Sequence, residues 1–183
     1  MKKLLTILFV FLSVFMLAGC AKKKEEYKDP KQEEAKDDKI LVDGVEFKFE
    51  TEKKFQNLSY KMDDKLKETN PYTDPKAAPI RQHLYKANDT DSSYKIVIRM
   101  FYYKTKTLEQ AMKDLGIDED ASSLFTVETD HMSLKMYDQK QTEGTGHIYF
   151  INDNSDYYAV QIGSRSDIKK FENAFLKTFE LKG

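Results

Sequence analysis

Across residues 94–104 large apolar side chains take every second place: Tyr94, Ile96, Ile98, Met100 and Tyr102. That period belongs to a strand, whose successive side chains point to opposite sides. A chain with such a segment has to build a sheet and cover at least one side of it. A second strong pattern lies near the carboxyl end. Ile168, Phe171, Phe175 and Phe179, with Leu176, recur at steps of three and four, which is the stripe of a helix with one apolar side. Asp167 or Ser166 is expected to cap that helix, and Phe179 and Leu181 to leave it as a short strand.

Weaker patterns fill in the order of elements. Val45, Phe47 and Phe49 alternate behind Asp43-Gly44, which predicts a strand and a tight hairpin with Ile40–Val42. A weaker strand is read at 55–62. Residues 65–79 hold Pro71, Pro75 and Pro79 and read as a loop. A strand at 80–87 and a turn at 88–93 follow. Thr107 with Gln110 three residues on is a capping box, Leu108, Met112 and Leu115 follow at helical spacing, and Gly116 stops the helix. Strands are then predicted at 132–138, 146–152 and 157–163, with a turn at 152–155. This order gives an α+β fold with a mainly antiparallel sheet, a C-terminal amphipathic helix and a second short helix.

The amino terminus has a different character. Lys2 and Lys3 precede an apolar run over residues 4–17, followed by Leu17-Ala18-Gly19-Cys20. A positive start, an apolar core of about 7–15 residues and small residues at the end describe a secretory signal. The run is short of the ~20 residues that a membrane span needs. Leu17-Ala18-Gly19-Cys20 resembles the lipobox of bacterial lipoproteins at all four positions. The resemblance implies a signal peptide over 1–19, cleavage before Cys20, and a diacylglycerol and an acyl chain carried on that cysteine. Two or more acyl chains anchor stably, whereas one holds marginally. The bland alternative is an ordinary secretory signal with an incidental cysteine. Cys20 is the only cysteine, so no disulfide can form within one chain.

Residues 20–39 are of mixed charge without apolar period, and read as a disordered tether. About 18 such residues reach on the order of 20–25 Å end to end. Lys22, Lys23 and Lys24 sit beside the lipid, where each cation near anionic headgroups is worth about 1 kcal/mol. The alternative is a plain solvated spacer. Residues 40–183 then form one α+β domain. From Lys39 onward 22 basic residues stand against 24 acidic ones, a balance that gives no global argument for nucleic acid.

The stretch 94–179 resembles the PsbP-like or DcrB-like α/β sandwich family. In that family a strand leads to a helix beginning Thr-Leu-Glu, then a meander, then a terminal amphipathic helix that ends in a short strand. The matching parts here are 95–103, 107–115, 132–158 and 168–179. The resemblance implies a small exported binding or accessory domain without enzymatic activity.

Searching for chemistry yields little. Gly144-Thr145-Gly146 lacks the third glycine and the setting of a nucleotide loop, and no nucleophile-elbow motif appears. His83, His131 and His147 have no second His or Cys at ligand spacing, so no metal or other cofactor is expected. Asp114, Asp118, Glu119 and Asp120 lack the pattern of a calcium loop and read as a solvated helix end.

The strand patterns assign Ile96, Ile98 and Met100 to one side, with Met132, Leu134 and Met136, with Ile148 and Phe150, and with Tyr158, Val160 and Ile162. The other side then carries Lys95, Arg99, Phe101 and Tyr103, with His131, Lys135 and Tyr137, His147 and Tyr149, and Tyr157 and Gln161. Cations and rings without a carboxylate can stack rings or sugars and hold anions. Lys95, Arg99, Tyr103, Lys135, Tyr137, His147, Tyr149 and Tyr157 are the candidate ligand-binding residues. The bland reading is a wet sheet face, partly roofed by the helix at 107–115; Val97 and Ile151 on that side point to such a roof.

The function these patterns favour is a non-enzymatic lipoprotein on the outer side of the cell membrane that binds a ligand or an envelope protein. The alternative is a binder of an extracellular anionic polymer, DNA or cell-wall polymer, through the basic-aromatic face. A lone exposed strand edge could also pair two copies.

Overall fold

A computed structural model describes residues 39–69, 81–87, 96–139 and 144–182. The predicted signal peptide over 1–19, Cys20, nearly all of the tether and Lys95 lie outside the described residues. The remainder is an α+β fold built mostly of antiparallel sheet with two helices.

Two short strands, β1 (Ile40–Val42) and β2 (Val45–Phe47), pair across Asp43-Gly44. Both turn residues have positive φ, +49° and +77°, as a two-residue primed turn requires. Strands β3 (Thr51–Phe55) and β4 (Leu58–Met62) form a second hairpin. The strand read at 55–62 covers β4 and only the last residue of β3, because the turn is Gln56-Asn57, with no glycine to mark it. Strand β5 (Leu66–Thr69) lies in what had read as loop.

Next come β6 (Arg81–Ala87), β7 (Ile96–Tyr103) and helix α1 (Leu108–Asp114). Thr107 and Gln110 form the predicted capping box. Gln110 N–H donates to Thr107 Oγ1 at 3.3 Å, and Thr107 N–H donates to Gln110 Oε1 at 2.9 Å. Gly116, at φ +75°, turns the chain out of the helix.

A meander follows: β8 (Phe125–Glu128), β9 (Ser133–Asp138), β10 (Thr145–Asp153) and β11 (Asp156–Ser164). Helix α2 (Lys169–Leu176) and strand β12 (Glu180–Leu181) complete the described order. Strand β8 was not predicted, since Phe125-Thr126-Val127-Glu128 is too short to show a period. Helix α2 begins at Ile168 without a side-chain cap, and Asp167 instead accepts from Lys169 N–H at 3.1 Å.

The main sheet has seven strands in the order β5-β6-β7-β11-β10-β9-β8. A three-stranded sheet, β12-β4-β3, stands apart from it. Its Phe55 meets Tyr102 and Tyr158 of the main sheet edge-on, and Tyr60 bonds Tyr85 hydroxyl to hydroxyl at 2.7 Å. Tyr60 also packs on Phe175 and Phe179, while Phe47 meets Phe171. One side of the main sheet is thus buried under α2 and the small sheet. Each large apolar side chain taken from water there contributes about 1.5–3 kcal/mol. The other side is covered in part by α1. Ala111 and Met112, with Ile117 and Leu124, cluster with Tyr103, Ile148, Phe150 and Ala159.

Strand register corrects the side assigned to β10. Ile148 lies opposite Gln161, which lies opposite Arg99. Ile148 and Phe150 therefore share the side of α1, and His147, Tyr149 and Ile151 face the other way. Alternation was silent here because Ile148, Tyr149, Phe150 and Ile151 are all buried, two under each cover.

Candidate functional site

Antiparallel register decides which predicted site residues meet. Tyr157 stands opposite Tyr103, Gln161 opposite Arg99, and Tyr137 opposite Ile148, with Lys135 opposite Phe150. Arg99, Tyr103, Lys135, Tyr137 and Tyr157 do share one side. His147 and Tyr149 do not, and the predicted face loses both.

Helix α1 closes much of what remains. Tyr103 is 1% exposed, and Phe101, Tyr137 and Tyr157 pack half-buried against the same cluster. The Tyr157 hydroxyl accepts from Asn152 Nδ2 at 2.6 Å. The Tyr137 hydroxyl donates to Glu119 Oε1 at 3.3 Å. Burial first, then the Glu119 charge, raises that phenol above its ordinary value. Glu119 also brings a carboxylate to a face that the sequence pattern had read as having none. Arg99 and Lys135 stay exposed, each engaged with neutral oxygens. Arg99 Nη1 donates to Gln161 Oε1 at 3.2 Å, Gln161 Nε2 to Gln139 Oε1 at 2.7 Å, and Lys135 Nζ to Thr126 Oγ1 at 2.8 Å. The described face is a row of amides and cations beside a roofed aromatic floor.

The residues displaced to the opposite side form a close titratable group with an acid of α2. His147 Nδ1 lies 2.8 and 2.9 Å from the two carboxylate oxygens of Glu172 on α2. The Tyr149 hydroxyl also reaches Glu172, and the His147 and Tyr149 rings meet edge-on at 6.1 Å. His147 Nε2 lies 3.8 Å from Asp138, whose side chain is well exposed. Glu172 itself is only 2% exposed.

Burial pushes the Glu172 carboxyl up, with the His147 bond and charge opposing. Burial draws the His147 ring down, but the Glu172 bond, the Glu172 charge and Asp138 outweigh it, so the ring ends above the ordinary histidine value. A buried acid placed in this way fixes α2 to β10 and can hold a proton between helix and sheet.

Glu172 was missed in the sequence, although its position was informative. It lies four residues after Ile168 and three and four before Phe175 and Leu176, the one acid on the apolar stripe. Among the described residues, no group of three or more His, Cys, Asp or Glu is arranged to hold a metal ion. Among them, too, no helix is long and apolar enough to cross a membrane.

Comparison with known protein families finds no match, and comparison with curated proteins finds none. A crystal structure of a protein from Bacteroides thetaiotaomicron VPI-5482, at 1.50 Å resolution, is similar over 69% of this chain, with a TM-score of 0.47 and 12% identity. The chain covers 46% of that protein, about half its length.

Proposed function

We propose that this chain is a lipoprotein held on the outer side of the cell membrane through Cys20, and that its α+β domain is a non-enzymatic binding or accessory module of the PsbP-like sandwich type. The observation that carries this reading is Leu17-Ala18-Gly19-Cys20, placed directly after a positive start and an apolar run. Diacylglycerol and a further acyl chain on one cysteine meet the two-chain requirement for stable anchoring. The charged stretch behind it gives the domain reach from the membrane surface.

The binding part of this reading draws support from the exposed cations Arg99 and Lys135, which contact an amide and a hydroxyl.

Intact mass and fragmentation of the mature protein, extracted from native membranes, test the anchor. The expected product begins at Cys20 and carries the lipid. A mature chain cut elsewhere, or one with an unmodified Cys20, overturns the reading.

A further inference from the structure

The connection from β7 into α1 holds a residue in a costly conformation. Thr105 has φ +51°, a left-handed backbone that β-branched side chains rarely adopt. It is clipped there by Asp156, the first residue of β11. Thr105 N–H donates to Asp156 Oδ1 at 2.9 Å, and the Tyr102 hydroxyl donates to Oδ2 of the same carboxylate. These bonds, that from Tyr102 foremost, hold the Asp156 carboxyl below its ordinary value.

A second cost lies under the helix. The Tyr103 side chain forms part of the floor that α1 covers, and its hydroxyl is buried without a hydrogen-bond partner among the described residues. Polar atoms in that state normally find a partner, and one left without it is penalised. Lys106 lies over the Tyr103 ring at 5.8 Å and pairs with Asp114, so both ends of α1 are tied to each other. Helix α1 itself spans only seven residues and grips the sheet mainly through Ala111 and Met112.

We propose that α1 is a hinged cover, pivoting on Thr105 and held shut by Asp156, whose opening bares the floor of Phe101, Tyr103, Ile148 and Phe150. The closed state bears two costs that opening removes: Thr105 relaxes and the Tyr103 hydroxyl reaches water. Segments with few buried contacts are those that open locally, without global unfolding. The device stands on the geometry of the domain alone and is independent of the lipid anchor.

Amide hydrogen exchange on the full chain in detergent micelles tests it. In the wild type the α1 amides exchange faster than those of Val160 and Ile162 in central strand β11. Thr105→Asn, which tolerates the left-handed region, and Tyr103→Phe, which keeps the ring and removes the hydroxyl, each slow α1 exchange about fivefold. Asp156→Ala speeds it, with the amides of Val160 and Ile162 unchanged. The proposal is overturned if α1 and β11 exchange together in the wild type. It is equally overturned if either stabilising variant fails to slow α1, or if Asp156→Ala leaves α1 exchange unaltered.

Discussion

Glu172 shows how much one side chain can decide. It is a carboxylate in the middle of an apolar stripe, and its partner is a histidine whose side the sequence pattern misassigned. Around the pair lie Tyr149 on β10, Asp138 on β9, and Lys169 and Asp167 at the start of α2. Glu172 and His147 both hold protons more tightly in the folded chain than in the unfolded one. The stability each brings is complete below its unfolded value, about 4.3 for glutamate and about 6.5 for histidine. That stability is lost as pH rises through the two raised folded values. From about pH 5 to about pH 8 the melting temperature should therefore fall more in the wild type than in Glu172→Gln, where burial, Asp138 and Lys169 still act on His147 but the Glu172 bond and charge are gone. Equal slopes in the two proteins would remove the pair from the account of stability. The polar member of an amphipathic stripe was visible in the sequence; the partner was not, because pairing across elements depends on a strand parity that a doubly buried strand conceals.

At the scale of elements, the legible parts were those whose chemistry is local. The Asp43-Gly44 turn, the Thr107–Gln110 capping box and the alternation in β7 each depend on residues within a few positions of one another. Strands β5 and β8 were illegible because four residues give no period, and β3 with β4 because Gln56-Asn57 carries no turn signature. Strand β10 was found, but its sides were exchanged. Ile151, assigned to the basic-aromatic side, lies on the other side and is 1% exposed. Ile151→Lys should therefore abolish cooperative unfolding or cost several kcal/mol, read by thermal melting, since it buries an unpaired charge. Two glycines give a graded test of the turns. A Cβ on Gly144 would sit 2.0 Å from Ser164 O and 2.7 Å from Arg165 Cα, both backbone atoms that cannot turn aside. Gly116, at φ +75°, has nothing within 4 Å. Gly116→Ala should cost only the left-handed conformation, roughly 1–2 kcal/mol. Gly144→Ala should lower the melting temperature further, and the reverse order would contradict this turn geometry.

The whole molecule joins a sheet covered on one side by α2 and the small sheet, and in part on the other by α1, to a chain with one cysteine, Cys20. If Cys20 serves only as the anchor, Cys20→Ser should free the protein from the membrane or leave it uncut, with the same melting temperature as the wild-type domain. A domain destabilised by that change would give Cys20 a structural task. Sheet order bears on something else: the time course of folding. Strands β8 to β11 pair with close neighbours along the chain, whereas β7 waits for β11, with Tyr103 meeting Tyr157 and Ile96 meeting Ser164. Strand β4 waits longer still for β12, where Ser59 meets Glu180, 121 positions away. Closing such long loops slows folding. A chain threaded across a membrane amino end first would present the β3–β4 hairpin early and leave its edge open until the final strand emerges. During that interval the hairpin is the part most exposed to mispairing, and the part a folding helper would have reason to hold.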